Sequence, residues 1–321
     1  MKFLLWFEPI RFTRGTEATV AHSEWFVDTG DGNLLLDLGL PEAKQYITNT
    51  ISGLITENGV DGYREDFNFD PYPYWSYREA PDRVGMREMR CVEGVYAYWD
   101  ELLRLHPNLV IDNCAGGGRR LELEMMKRSV PLWRTDYNCF TDLITEATQA
   151  HTFGLAHWLP ANSTNPIVGE PDTYQFRSAL SSGIVTGLDD HANRPLSERK
   201  EEEWNWWRAR INEAQRVKPF FYGDFYPLTM GNHDLENWLA YHFYLPEKEA
   251  GLLVAFRRPK SDAISMTFDL TTIRPDATYE IEDLDSGQTL KLSGKEIRQN
   301  GLTVKTTAPR ESRLFMYRRV K

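Results

Sequence analysis

Short apolar runs alternate with amphipathic stretches from the start of the chain to about residue 225. Residues 3–9 are apolar and end in Glu8, the pattern of a buried strand. Residues 42–56 place Ile47, Ile51, Leu54 and Ile55 at helical spacing. A strand is expected over residues 62–69. A long amphipathic helix is expected over residues 85–106, stopped by Pro107. "LVIDNC" (109–114) reads as the next strand, followed by helices over 121–128 and 140–153. "GLAHWLPAN" (154–162) and "SSGIVTGLDD" (181–190) are two further strand-like runs. Ser197 then opens a helix to about Val217, with Trp204, Trp207, Ile211 and Ala214 on one face.

Such alternation is the signature of an α/β fold built on a parallel sheet. Chemically capable residues fall at successive strand ends: Glu8, Asp66, Cys114, Asp136, Asn162 and Asp189. That placement favours a (β/α)8-type TIM barrel, whose active site lies at the C-terminal strand ends. Six strands are counted where a closed barrel has eight. The barrel domain is drawn as residues 1–228. From residue 229 the texture changes to short alternating strands with turns such as Asp285-Ser286-Gly287, and no helix is expected there. Residues 229–321 therefore read as an antiparallel β-sandwich.

Composition narrows the functional classes. A net charge of −10 argues against a nucleic-acid partner. No apolar run reaches the length of a membrane span, and "MKFLLWFEP" is not a signal peptide. Three cysteines, Cys91, Cys114 and Cys139, form no disulfide framework and suit a reducing, cytoplasmic setting. Aromatic residues make up 13% of the chain; their flat faces suit sugars, but they fill cores as well.

The densest candidate chemistry is "GYREDFNFD", Gly62 to Asp70. Strand alternation puts Arg64, Asp66 and Asn68 on one face and Tyr63, Glu65 and Phe67 on the other. The Arg64 guanidinium is expected to hold Asp66 ionised, as a glycosidase nucleophile requires. A purely structural Arg–Asp pair is the competing reading. A second carboxylate, Asp136 in "PLWRTDYN", is a candidate general acid whose apolar neighbours Trp133 and Tyr137 would raise its pKa. It would serve equally well as the cap of the following helix. "NCAGGGRRLELE" departs from both phosphate-binding glycine motifs. It reads as a tight turn that lets a ligand approach the backbone, with Cys114 at the strand tip and no evident His partner. A phosphate cradle at Gly116 to Gly118 ranks below that. No metal motif is present, and "DDHAN" (189–193) reads as turn and capping residues rather than a cation site.

Taken in order, these motifs resemble the α-galactosidases of glycoside hydrolase family 36. "KFLLWFEP" looks like that family's third barrel strand. "YREDFN" is similar to its K-W-D-M-N nucleophile strand, "NCAGGGRRLE" to its C-S-G-G-G-G-R-x-D segment, and "PLWRTDYN" to its W-T-S-D acid/base segment. The resemblance implies Asp66 as nucleophile and Asp136 as general acid/base, acting by double displacement with retention. It would set the two carboxyls roughly 5–5.5 Å apart. It places Trp6, Arg64, Asn68, Cys114 and Gly116 at sugar-contacting positions; Arg120 and Trp133 complete the candidate substrate-binding set. It implies no metal ion and no organic cofactor. The implied partner is a carbohydrate substrate, with no nucleic acid, no membrane, and homo-oligomerisation open. Arg64 stands where the family has Lys, and Ile10 where it has Glu. Against the family's layout, the N-terminal sandwich and the first two barrel strands would precede Met1. The barrel is therefore expected to be N-terminally truncated, and the alternative reading is a truncated relative that binds sugar with little or no turnover.

Overall fold

The computed structural model describes residues 1–139, 144–166, 170–186, 196–231 and 233–320. Two compact units divide the chain, Met1–Asp136 and Tyr137–Lys321.

The first unit is built on a parallel sheet of β1 (Leu4–Phe7), β5 (Gly62–Glu65) and β6 (Val110–Asn113), in the order β1-β5-β6. A parallel bridge from Asp112 to Val130 extends it by one residue pair. Between β1 and β5 lie β2 (Arg11–Thr13), β3 (Phe26–Asp28) and β4 (Asn33–Leu36), an antiparallel sheet in the order β2-β4-β3. The helices Pro41–Asn58 and Met86–Leu105 fall where the apolar spacing sets them. Gly59, in the left-handed region at φ 62°, ends the first. Ile47, Ile51 and Ile55 join Tyr63, Tyr98, Trp99, Leu102 and Ile111 in one core. The sheet thus has one helix-covered face. The other carries Leu4, Trp6 and Val110, which remain exposed, alongside Arg64.

In the second unit β7 (Asp224–Pro227), β8 (Leu239–Leu245), β9 (Ala250–Arg257), β11 (Thr278–Asp283), β12 (Thr289–Ser293) and β14 (Glu311–Val320) form an antiparallel sheet in the order β12-β11-β14-β9-β8-β7. β10 (Ser265–Phe268) pairs with β13 (Leu302–Lys305) in a second antiparallel sheet. Both faces of the large sheet are buried at its inner strands β8 and β9. Leu253, Ala255 and Tyr279 pack with Phe268, Leu302 and Val304. Tyr241, Val254 and Phe256 pack with Tyr174, Phe176, Trp207 and Val217. This accounts for the run "AGLLVAFR", buried at every position.

Several sequence expectations are corrected. Three parallel strands are formed among the described residues, not six. The run 154–162 is not a strand; it begins in the helix Thr145–Ala156, because a short apolar run has no period that separates a helix end from a strand. Residues 181–186 form no strand. Residues 187–190, "DDHAN" with its Asp189, and the expected helix start at residue 140 lie outside the described residues. The helix placed from Ser197 starts at Glu201, and it buries Glu203, Trp207, Glu213 and Val217 while Ile211 is exposed. A helix, Gly294–Asn300, does occur after residue 229, capped by Ser293 and Glu296 in a reciprocal pair of hydrogen bonds.

Candidate active site

Register places Trp6, Arg64 and Asp112 side by side across β1, β5 and β6. Strand β5 ends at Glu65, earlier than expected, and Asp66 is the first residue beyond it. The Asp66 N–H still bonds to the Phe7 carbonyl, 2.9 Å away, so the strand direction carries into the site. The side chain is 8% exposed. Its Oδ2 accepts from Trp6 Nε1 at 3.2 Å, and its Oδ1 from the N–H groups of Phe67 at 2.8 Å and Gly116 at 3.1 Å. The side chain of Asn68 and the thiol of Cys114 face it as well and favour its charged form. Burial works against the charge, yet these donors, Asn68 foremost, pull the Asp66 carboxyl down to about 2. The carboxylate is therefore ionised throughout the physiological range.

Arg64 interacts with Asp66 only through its charge and is not a leading cause of this shift, which corrects the expected direct pairing. Its guanidinium bonds to Asp112 Oδ2 at 2.7 Å and lies 5.9 Å from the Trp133 ring centroid. Asp112 is buried and also accepts from the Leu132 N–H at 2.8 Å; burial pushes its carboxyl above the usual range despite Arg64. Alternation within "GYREDFN" reveals the face of Arg64 but not the residue opposite it on the next strand. Asp112, in "LVIDNC", was missed for that reason.

The glycine turn is shaped by contact. Gly116 and Gly117 have φ of 53° and 77°, in the left-handed region. A Cβ on Gly117 would lie 2.5 Å from the backbone nitrogen of Asp136. The turn thus runs directly against the segment bearing the second carboxylate, one residue from the amide that binds Asp66. Asp136 Oδ1 accepts from Trp133 Nε1 at 3.0 Å. Asp136 also begins a short 3-10 helix, Asp136–Cys139, while the start expected for the helix it would cap lies outside the described residues. Burial pushes the Cys114 thiol up to about 12, so it is a protonated donor rather than a nucleophile.

Trp6, Asn68, Cys114 and Gly116 surround Asp66, and Arg64 and Trp133 stand next to them. Arg120 is not part of this group. It turns to the helix-covered side, where its guanidinium meets Glu65 at 3.3 Å and stacks 5.2 Å from the Trp99 ring centroid. Two supports went unread in the sequence. Glu8 Oε1 accepts from the Asn68 N–H at 2.7 Å, and Arg119 bonds to the carbonyls of Ala115 (2.7 Å) and Phe67 (3.1 Å). An apolar cavity of about 290 Å³ lies behind the turn, among Ile10, Leu36, Phe67, Val95 and Ala115; Asp66 does not line it. Among the described residues no cluster of His, Cys, Asp or Glu is placed to hold a metal ion, and no helix is long and apolar enough to cross a membrane.

Fold and site together describe an α/β protein with a sheet-rich C-terminal part and a buried, ionised carboxylate at the tip of a parallel strand. Residues 1–156 match the melibiase family model, and the chain as a whole is similar to α-galactosidases. It is 21% identical to α-galactosidase 1 of Pediococcus pentosaceus, over 87% of this chain and 39% of that protein. It is 28% identical to α-galactosidase 2 of the same organism, over 73% of this chain and 33% of that protein. The α-galactosidase of Lactobacillus brevis superposes on all of this chain with a TM-score of 0.81 at 20% identity, using 45% of its own length. The family-36 α-galactosidase AgaB of Geobacillus stearothermophilus does so with a TM-score of 0.81 at 22% identity and 44% of its length. The chain thus spans between a third and a little under half of the length of these relatives.

Proposed function

We propose that this chain carries the two carboxylates of a retaining glycosidase acting on α-galactosides or related α-glycosides, set in a (β/α)8-type barrel. The observation that carries the reading is the Asp66 carboxylate, held ionised at a strand tip by Asn68, Cys114 and the Phe67 and Gly116 amides, and joined to the Asp136 segment through Gly116 and Gly117. The sequential order β1-β5-β6 with its parallel bridge to Val130 supports the barrel. The division at residue 228 into barrel and β-sandwich is part of the same proposal.

Asp66 attacks the anomeric carbon as the bond to the leaving oxygen breaks, and Asp136 gives that oxygen its proton. Asp136 then takes a proton from water, whose oxygen attacks the anomeric carbon and releases Asp66, with net retention. Trp6, Asn68, Cys114, Gly116, Arg64 and Trp133 line the sugar's approach. The proposed partner is a carbohydrate, not a nucleic acid, given the net charge of −10. The three cysteines, none in a disulfide, fit the proposed cytoplasmic location.

Nitrophenyl α-hexosides test this. Wild type should release nitrophenol, fastest from the galactoside, and Asp66→Ala should release none. Asp136→Ala should lose about 10²–10⁴-fold on a sugar leaving group and less on nitrophenol, which needs little protonation. Turnover that survives Asp66→Ala removes Asp66 from the nucleophile role. Sugar binding without turnover by wild type overturns the assignment of an enzyme.

A further inference from the structure

The carboxylate just before Asp66 takes no part in these steps. Glu65 is fully buried on the helix-covered face. Its Oε2 accepts from the Tyr63 hydroxyl at 2.7 Å and from Trp99 Nε1 at 2.8 Å, and its Oε1 meets Arg120 Nη1 at 3.3 Å. The Tyr63 and Tyr98 hydroxyls lie 2.7 Å apart. Burial, and then the charge of Glu65, push both phenols well above their usual range, so both stay protonated. Arg120 does more than neutralise Glu65. Its Nη2 donates to the Cys114 carbonyl at 2.6 Å and to the Glu65 carbonyl at 3.3 Å. The Glu65 carbonyl also accepts from the Cys114 N–H at 2.9 Å, and its peptide unit leads directly into Asp66. One guanidinium therefore ties together the ends of two neighbouring strands, one leading to Asp66 and the other to two of its donors.

A buried ion pair contributes little net stability compared with apolar side chains of the same volume. What this one supplies is a fixed distance between two strand tips. We propose that Glu65 and Arg120 are positioning residues, a buried clamp on the ends of β5 and β6 that holds the Cys114 thiol and the Gly116 amide against the Asp66 carboxylate. The clamp rests on the reading of Asp66 as the nucleophile. With it loosened, the donors from the β6 side withdraw, and the carboxylate is both less well aimed and easier to protonate.

Two variants and two readouts separate this from a merely structural role. Arg120→Lys keeps the charge but cannot reach both carbonyls and Glu65 at once. Glu65→Gln is isosteric and removes the ion pair while leaving Arg120 in place. In Arg120→Lys, kcat on nitrophenyl α-galactoside should fall about 10²-fold through misplacement of the nucleophile, with KM changed far less. The acid limb of kcat/KM should move to higher pH in both variants. Independently of turnover, ¹³C NMR of the aspartate carboxyls, with Asp66 identified through Asp66→Asn, should show its midpoint rising by about one pH unit in both variants. An unchanged Asp66 midpoint in folded Arg120→Lys overturns the clamp. If that variant does not fold, an unchanged midpoint in Glu65→Gln does so. Inactive wild type with a shifted Asp66 midpoint overturns the enzymatic reading and leaves the clamp standing.

Discussion

Gly117 shows how little room separates the two carboxylate-bearing segments. Alanine there would meet a backbone nitrogen at 2.5 Å and a φ of 77° that L-residues disfavour. At Gly116 the first clash, at 2.7 Å, is with the guanidinium end of Arg119, which can move. Gly117→Ala should therefore abolish turnover while far-UV circular dichroism stays native, and Gly116→Ala should retain more activity; equal losses would contradict this account. The face of Asp66 was legible from local alternation, although strand β5 stops one residue before it, while its role came only from the resemblance of four ordered motifs. The cause of its ionisation was legible only in part: Asn68 and Phe67 lie beside it in the sequence, whereas Cys114 and Gly116 are distant. The same limit misplaced Arg120. Nothing in "CAGGGRR" says to which side of the sheet the turn folds back.

Among elements, the long amphipathic helices were legible because many turns repeat one pattern. Residues 154–162 were not, being too short to show a period. The helix Gly294–Asn300 did announce itself: "SGKE" is a capping box, and only its placement among strands hid it. The helix Thr173–Ser178 is held differently, by charge. Arg177 is 1% exposed at its side chain and bonds to Glu213 at 2.7 Å and to Asp285 at 2.8 Å. That pairing explains why Glu213, and not Ile211, faces inward on the helix Glu201–Val217. Arg177→Met removes the cation the two carboxylates share, leaving Glu213 with Arg210 at 3.2 Å and Asp285 with Arg313 at 3.8 Å, and should cost up to about 3–5 kcal/mol in urea unfolding. Adding Glu213→Leu should recover part of the loss. A loss below about 1 kcal/mol would mean that water already solvates the pair.

At the scale of the whole molecule, acid should weaken the two units in sequence. His242, on β8, is buried beside the Tyr317 hydroxyl at 2.8 Å, and burial pushes its imidazole down to about 4. Between that value and about 6.5 the unfolded chain binds a proton that the folded one refuses, so stability present above pH ~6.5 is lost as pH falls toward 4. Asp66 behaves as a carboxylate with a depressed pKa. Its contribution is present above about pH 4 and is lost as pH falls through about 2. Hydrogen exchange read by segment at pH 7, 5 and 3 should show β8 and β9 losing protection first, and β5 and β6 later. His242→Leu should flatten the first loss; simultaneous loss in both units would contradict the assignment. The change in sequence texture at residue 229 marks where strands take over. The compact unit that holds those strands already begins at Tyr137, since Tyr174, Phe176 and Trp207 pack on the sheet. Local periodicity carries no record of such long-range packing.

The thiols that burial keeps protonated also bear on how the molecule can be handled. Alkylating reagents react with thiolates. Cys91 and Cys114 are buried and both pushed up to about 12, while Cys139 is exposed. A maleimide dye at neutral pH should enter at Cys139 alone, three residues beyond Asp136 in the chain, giving a one-to-one optical reporter without any engineered cysteine.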